Sequence, residues 1–341
     1  MPPYRPSLRA PVPRGPHAVR PPRGWTFPAT VCALLDAPVP LAEIARALAE
    51  YPIMREAPGA PGEYGWTLGG PSLLVAYRPE VNGYVQVDLV SRPWPDAMGS
   101  PKDDTAPLFA AWAMGHFGPS SFPGALERAM RYTGSNEEAL REAGARHRAF
   151  LRVRLSYVFG ADANDPVHPS DRDPLDELRF VSHLQAKLLE LPLASCAFNP
   201  SGELLVARES LVGKLQRDLA GERLAVDAWA NVRMFRSQGA HGDWLVFDTV
   251  GMDQLAVRDH EAVIPFGHPS VRHVVGLLYS MAAYDAEQGG VLGANDTASD
   301  FDEVPWVAHS TGDAIVQPPR SVVRWAPQGI EVPAMWSGAP S

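Results

Sequence analysis

Hydrophobic and polar positions along this chain fall into short blocks whose period changes from one block to the next. Val31–Leu35 is a continuous apolar run, the pattern of a strand buried on both faces. After the breaks at Pro38 and Pro40, Leu41, Ile44, Ala45 and Leu48 recur at helical spacing until Pro52. Leu73–Tyr77 and Tyr84–Val90 read as paired strands. In the second, Val85, Val87 and Leu89 alternate with Tyr84, Gln86 and Asp88, and Asn82-Gly83 supplies a turn. Leu108–Phe117 predicts a short helix, and 118–148 hold polar helix-like material and turns that could connect two halves.

A second series follows. Leu151, Val153, Leu155 and Tyr157 form one face of a strand, with Arg152, Arg154 and Ser156 on the other. Asp173-Pro174 marks a helix start: Asp caps the free amides, Pro fits the first turn, and Asp176 and Glu177 sit at the positive dipole end. Leu175, Leu178, Val181, Leu184, Leu188 and Leu191 make its buried stripe, ended by Pro192. Ser195–Phe198 and Glu203–Val206 flank Asn199-Pro200-Ser201-Gly202 as a hairpin. A short helix with Leu211, Val212, Leu215 and Leu219 stops at Gly221. Strands are expected over Val226–Arg236, Trp244–Val250 and Glu261–Phe266. A helix through Val271, Val274, Val275, Leu278 and Ala282 closes at Gly289-Gly290, and a last strand covers Ser321–Trp325.

Hairpins with helices between them imply an α+β fold, with mostly antiparallel sheets and helices packed on one face. The two series are compatible with a loose duplication of a strand–helix–hairpin unit. The expected segments are a disordered Pro/Arg-rich tail over 1–24, an α+β half over 25–135, a second α+β domain over 145–300, and a C-terminal strand and tail over 301–341.

Composition narrows the function. With 341 residues, 45% of them hydrophobic and 20% charged, the chain has ordinary globular make-up and room for one or two cores. Its net charge of −9 is unevenly spread. Residues 1–28 carry Arg5, Arg9, Arg14, Arg20 and Arg23 and no acid. Ala286–Pro319 carries Glu287, Asp296, Asp300, Asp302, Glu303 and Asp313 and no Lys or Arg. An acidic body repels phosphate and suits a basic protein partner, so no nucleic-acid partner is expected. Cys32 and Cys196 lie in apolar runs without a disulfide framework, the pattern of buried thiols in a reducing compartment. The N-terminus lacks the apolar stretch of an ordinary secretory signal, and no window approaches ~18 uninterrupted apolar residues. A cytoplasmic location without membrane contact is expected; the oligomeric state is left open.

The stretch from Asp176 to Asp296 resembles a bacterial family known as domain of unknown function 4261. The carrying residues are Phe198–Glu203, Trp229–Phe235, Asp248–Leu255 and, after the long helix, Asn295-Asp296-Thr297. The resemblance implies a shape and a set of positions rather than a reaction; accessory or immunity-type factors are its nearest functional association.

One constellation stands out. With a turn centred near Gly239-Ala240, Asn231 faces Asp248, Arg233 faces Val246 and Trp229 faces Val250. Ala228, Ala230, Val232, Met234, Leu245, Phe247 and Thr249 then form the core face. Trp229, Asn231, Arg233, Phe235, Trp244, Val246, Asp248 and Val250 form the other, with Arg233 and Asp248 diagonal neighbours. A charged pair framed by tryptophans is either a recognition face, with the composition of interface hot spots, or an internal ion pair beneath the chain's own C-terminal segment. The leading expectation is a non-enzymatic protein-binding factor whose binding residues are Trp229, Asn231, Arg233, Trp244, Asp248 and Glu261. The alternative is a hydrolase-like enzyme with Asp248 and Glu261 as its acid–base pair, assisted by His260 or His268. A third reading is a scaffold with an adhesive proline-rich tail.

No catalytic residue is assigned, because no nucleophile elbow, Walker loop, dinucleotide fingerprint, HExxH or CxxC occurs. No cofactor is expected. His241, Asp243, Asp248, His260, Glu261, His268 and His273 offer metal-ligand chemistry without metal-ligand spacing. Asp296, Asp300, Asp302 and Glu303 lack the central glycine of a calcium loop, so no metal is expected.

Overall fold

The computed structural model describes residues 26–59, 70–134, 137–161, 166–239 and 242–336. The expected tail over 1–24 lies outside them. The described chain divides into two compact units at Ala228/Trp229.

The first unit contains β1 (Ala29–Leu35), α1 (Leu41–Ala47), β2 (Ile53–Ala57), β3 (Ser72–Arg78), β4 (Gly83–Val90), α2 (Ala106–Ala113), α3 (Ala125–Tyr132), α4 (Glu138–Arg146), β5 (Ala149–Ser156), α5 (Pro174–Leu188), β6 (Ala194–Asn199), β7 (Leu204–Val206) and α6 (Arg208–Leu219). Its seven strands pair in the order β2-β3-β4-β5-β1-β6-β7, every pair antiparallel. The central position of β1 agrees with its unbroken burial. Asp173 caps α5 as its sequence predicts, accepting from the amides of Leu175 (3.0 Å) and Asp176 (3.2 Å). Asn82 turns β3 into β4 with a left-handed φ of 57°.

Helices cover both faces of this sheet, a correction to the one-sided packing expected. α5 lies on the face of Tyr77 and Tyr157, whose hydroxyls donate to Asp176 (2.8 Å) and Glu177 (2.6 Å). α2, α3 and α4 pack on the opposite face, where Leu108, Ala111, Leu126, Ala129, Leu140 and Ala143 join Cys32, Leu34, Phe150 and Phe198 in one core.

The second unit contains β8 (Asn231–Gly239), β9 (Gly242–Val250), β10 (Asp259–Pro265), α7 (Val274–Gln288), β11 (Thr297–Ser299), β12 (Pro305–Asp313) and β13 (Ser321–Pro327). The order is β11-β12-β13-β10-β9-β8. All neighbours are antiparallel except β10 and β13, which run parallel. α7 buries Val274, Leu277, Leu278 and Met281 against Leu245, Phe247, Ala262, Ile264, Trp306 and Trp325. The opposite face is covered by the chain's own end, through Val332 and Trp336.

The fold is α+β, in two mostly antiparallel sheets. The expected segmentation is corrected in three places. The break near 135–145 falls inside the first sheet, since β5 pairs with both β4 and β1. Residues beyond 300 are no appendage, because β12 and β13 complete the second sheet. The two strand orders differ, so the strand–helix–hairpin rhythm is not a duplicated topology.

Candidate functional site

The β8–β9 hairpin starts at Asn231, because Val226–Ala228 forms a 3₁₀ turn rather than strand. Its register places Arg233 directly opposite Asp248, Asn231 opposite Val250 and Phe235 opposite Val246. That is two residues from the expected pairing. A two-residue shift preserves which side chains share a face, so the faces stand while the partners move.

On one of these faces the charged residues form a cross-strand row. Arg233 opposes Asp248, Asp248 opposes Glu261, and Glu261 opposes Arg324. Arg233 grips Asp248 through Nε–Oδ1 (3.1 Å) and Nη2–Oδ2 (2.6 Å). Arg324 Nε donates to Glu261 Oε2 at 2.9 Å, and its outer nitrogens reach the carbonyls of Trp336 (2.6 Å) and Asp313 (2.8 Å). The amide of Ile315 donates to Glu261 Oε1 at 2.7 Å. Arg320 bonds Asp248, lies 3.4 Å from Asp259, and donates to the carbonyls of Val316 (2.9 Å) and Pro318 (2.8 Å).

Three guanidinium groups thus meet three carboxylates, and the cluster is balanced. Burial pushes the Glu261 carboxyl up, with Arg324 opposing it; burial does the same to Asp259, opposed by Arg320. Every charge has a partner, the condition for ions out of water. The result is a clasp that fastens residues 313–320 and Trp336 across the sheet.

Of the two readings of this face, the open recognition surface is corrected, and the internal ion pair beneath the chain's own C-terminal segment is what the structure shows. Trp229, Asn231, Arg233, Trp244, Asp248 and Glu261 are all 7% exposed or less. The chain's own C-terminal segment occupies the surface, with Trp336 packed edge-on against Trp244 at 5.9 Å. Trp229 precedes the hairpin, and its carbonyl accepts from Gln254 Nε2 at 2.9 Å. Met234, expected in the core, is 54% exposed.

Asp248 and Glu261 share a face, as an acid–base pair requires, but both are fully buried and held by arginines. His260 points to the other side of β10, where Trp325 Nε1 donates to its Nδ1 at 3.2 Å. Its Nε2 lies 3.7 Å from Asp285, too far for a hydrogen bond, and burial pulls its pKa down to about 3. His268 accepts from the amide of Ser270 at 3.3 Å. The remaining candidate metal ligands are dispersed. Asp243 pairs with Arg236, His273 with Asp302, and His241 is outside the described residues. Asp300 accepts from the amides of Asp302 and Val304, and Asp302 bonds Arg272.

Open space occurs on the helical face of the second unit. A cleft of about 540 Å³ runs between α7 and residues 291–299. Leu277, Met281, Leu292 and Trp325 form its apolar walls; Ser280, Asp296, Thr297 and Ser299 supply polar groups. Its volume is within the usual range for ligand sites. Two exposed aromatics mark this side of the helix, Tyr284 (49%) on the cleft and Phe301 (71%) near the start of α7. Phe301 lies on Gly276, where an added Cβ would come within 2.6 Å of the ring, so the close approach depends on glycine. Asp296, an exposed acid, lines the cleft, and Glu287 is exposed near the end of α7. Sequence reading missed this cleft: helical periodicity identified α7, but nothing local showed that Leu277 and Met281 would leave a gap beside β11.

Residues 248–326 match the sequence model of the family described as domain of unknown function (DUF4261). The match takes in Asp248–Leu255 and Asn295–Thr297 of the resembling residues, with every residue lining the cleft; Phe198–Glu203 and Trp229–Phe235 precede it. Comparison with curated proteins and with solved structures finds no match. Among the described residues, no helix is long and apolar enough to cross a membrane.

Proposed function

We propose that this protein is a non-enzymatic binding factor that accepts a segment of a basic protein partner in the cleft beside α7. The carrying observation is the pair of exposed rings, Tyr284 and Phe301, on the side of α7 that holds an apolar-walled opening. Large exposed aromatics next to apolar surface are the composition of binding hot spots, and they are expensive to leave in water without a use. Asp296 on the cleft, and the absence of Lys and Arg from Ala286 to Pro319, favour a partner segment with an apolar side chain next to Lys or Arg. The free buried thiols of Cys32 and Cys196 fit work in the reducing cytoplasm.

Selection from a random peptide display library on the full chain tests this reading. Enriched peptides are expected to combine an aromatic or large aliphatic residue with flanking basic residues. Phe301→Ser and Tyr284→Ser, at exposed positions, should weaken their binding at least tenfold with unchanged circular dichroism. Failure to enrich any sequence, or equal binding by both variants, would remove the cleft as a partner site.

A further inference from the structure

One wall of the cleft beside α7 is the end of a sheet. In the order β11-β12-β13-β10-β9-β8, β11 has a neighbour on one flank alone, and Thr297, Ala298 and Ser299 all line the cleft. An edge strand and a helix therefore wall the same opening of about 540 Å³.

The hydrogen bonds of β11 show which of its backbone groups look outward. It pairs with β12 as Thr297↔Val307, Ala298↔Trp306 and Ser299↔Pro305. The Asp300 amide donates to the Val304 carbonyl at 3.1 Å, and the Ala308 amide to the Asp296 carbonyl at 2.9 Å. Hydrogen-bonded positions alternate along an antiparallel strand, so Ala298, between these two, also turns its backbone towards β12. Thr297 and Ser299 turn theirs to the other side. Both residues are exposed, and no turn or loop hydrogen bond among the described residues uses their amides or carbonyls. Pro305 fits this register, because it sits opposite Ser299, where no amide is needed.

Side chains alternate the other way. Ala298 packs with Trp306, its cross-strand partner, in the apolar core that α7 covers. A residue laid directly across from Ala298 on a further strand would share its face, where Leu277, Met281 and Leu292 wall the cleft. The residues on either side of it would point away from α7, beside the side chains of Thr297 and Ser299. The segment 286–319 has no Lys or Arg and exposes Asp296, Asp302 and Glu303, which favours basic side chains at those flanking places.

On the premise that the cleft is the partner site, we infer that the partner segment enters it as an added antiparallel β-strand. It pairs with Thr297 and Ser299 and sets one apolar side chain, between two basic ones, against α7. Each of the two edge residues can exchange an N–H and a C=O bond with the added strand, and the antiparallel arrangement is the more stable per residue. Backbone bonds then supply affinity, and the alternate side chains supply selectivity. The occupant is an extended segment of a second protein, without proline at the pairing positions.

Fluorescence anisotropy of the full chain with the labelled peptide Ser-Val-Lys-Phe-Lys-Val-Ser, and with versions N-methylated at one residue, is the test. Phe is the residue set opposite Ala298. N-methylation of either Lys removes an amide aimed at the edge and should weaken binding about tenfold or more. N-methylation of Phe alters an amide that points away from the edge and should change binding by less than about threefold. Ser299→Pro should lower affinity as N-methylation of Lys does, because proline takes away the outward amide, which β12 does not use. If Phe301→Ser weakens the peptide but all N-methyl versions bind alike, or only N-methylation of Phe is damaging, the cleft stands as the partner site and antiparallel strand addition is overturned. No binding by the parent peptide overturns strand addition as well, and an empty display selection beside it removes the cleft too. Displacement of the peptide by a synthetic copy of residues 1–24 would give the edge to the chain's own basic tail and overturn the assignment to a second protein.

Discussion

The two sheets each bury a row of arginines and carboxylates, and they balance it differently. In the second unit Arg233, Arg320 and Arg324 meet Asp248, Asp259 and Glu261, so the charges cancel. In the first, Arg152 and Arg154 both bond Asp88. A cancelled row needs nothing from outside and acts as a fastener, here for residues 313–320 and Trp336. In the first unit one carboxylate braces two cations, with Gln86 and the His116 carbonyl adding hydrogen bonds. Buried ions do not by themselves mark a functional site.

The largest effect should come from unbalancing the balanced row. Asp248→Leu leaves Arg233 and Arg320 without their shared carboxylate, and a loss of about 3–5 kcal/mol is expected in urea unfolding. The double variant Arg233→Met/Asp248→Leu should recover much of that loss, because it removes a charge of each sign. Recovery of nothing would mean that packing, not charge, is what Asp248→Leu disturbs.

An intermediate effect is expected on acidification. The folded pKa of His260, about 3, lies below the ordinary 6.5, so the fold favours the neutral ring. Its contribution to stability is complete above pH 6.5 and is lost as the pH falls towards 3, at about 1.4 kcal/mol per pH unit. Urea midpoints measured from pH 7 to pH 5 should fall more steeply for the natural chain than for His260→Gln. Equal slopes would show that His260 titrates normally in the fold.

The smallest effect should come from the first unit. Arg154→Met leaves Asp88 still bonded by Arg152, so the cost should be about 1 kcal/mol or less, the scale of lost neutral hydrogen bonds. A loss as large as that of Asp248→Leu would show that Arg152 does not hold Asp88 by itself.

Much of the local structure was legible in the chain. The alternation over Tyr84–Val90 and Leu151–Tyr157 gave strands, Asp173-Pro174 opened α5, and Gly289 closed α7, with φ 76°. Three strands escaped notice. β2 is a five-residue edge strand without clean alternation, β11 has three residues, and β12 contains Pro305 and Gly312, which weaken a strand signal. Of the residues expected to form a binding site, Arg233, Asp248 and Glu261 do come together. Their further partners, Arg320 and Arg324, lie more than sixty residues beyond in sequence, where no local pattern connects them.

What the sequence determined by itself was periodicity, and through it the elements, their faces and the α+β class, because side-chain direction along a strand or helix is a local property of the backbone. Tertiary structure alone decided which faces stay open, because burial depends on distant segments arriving. Trp336 returning over Trp244 turned an apparent recognition surface into core.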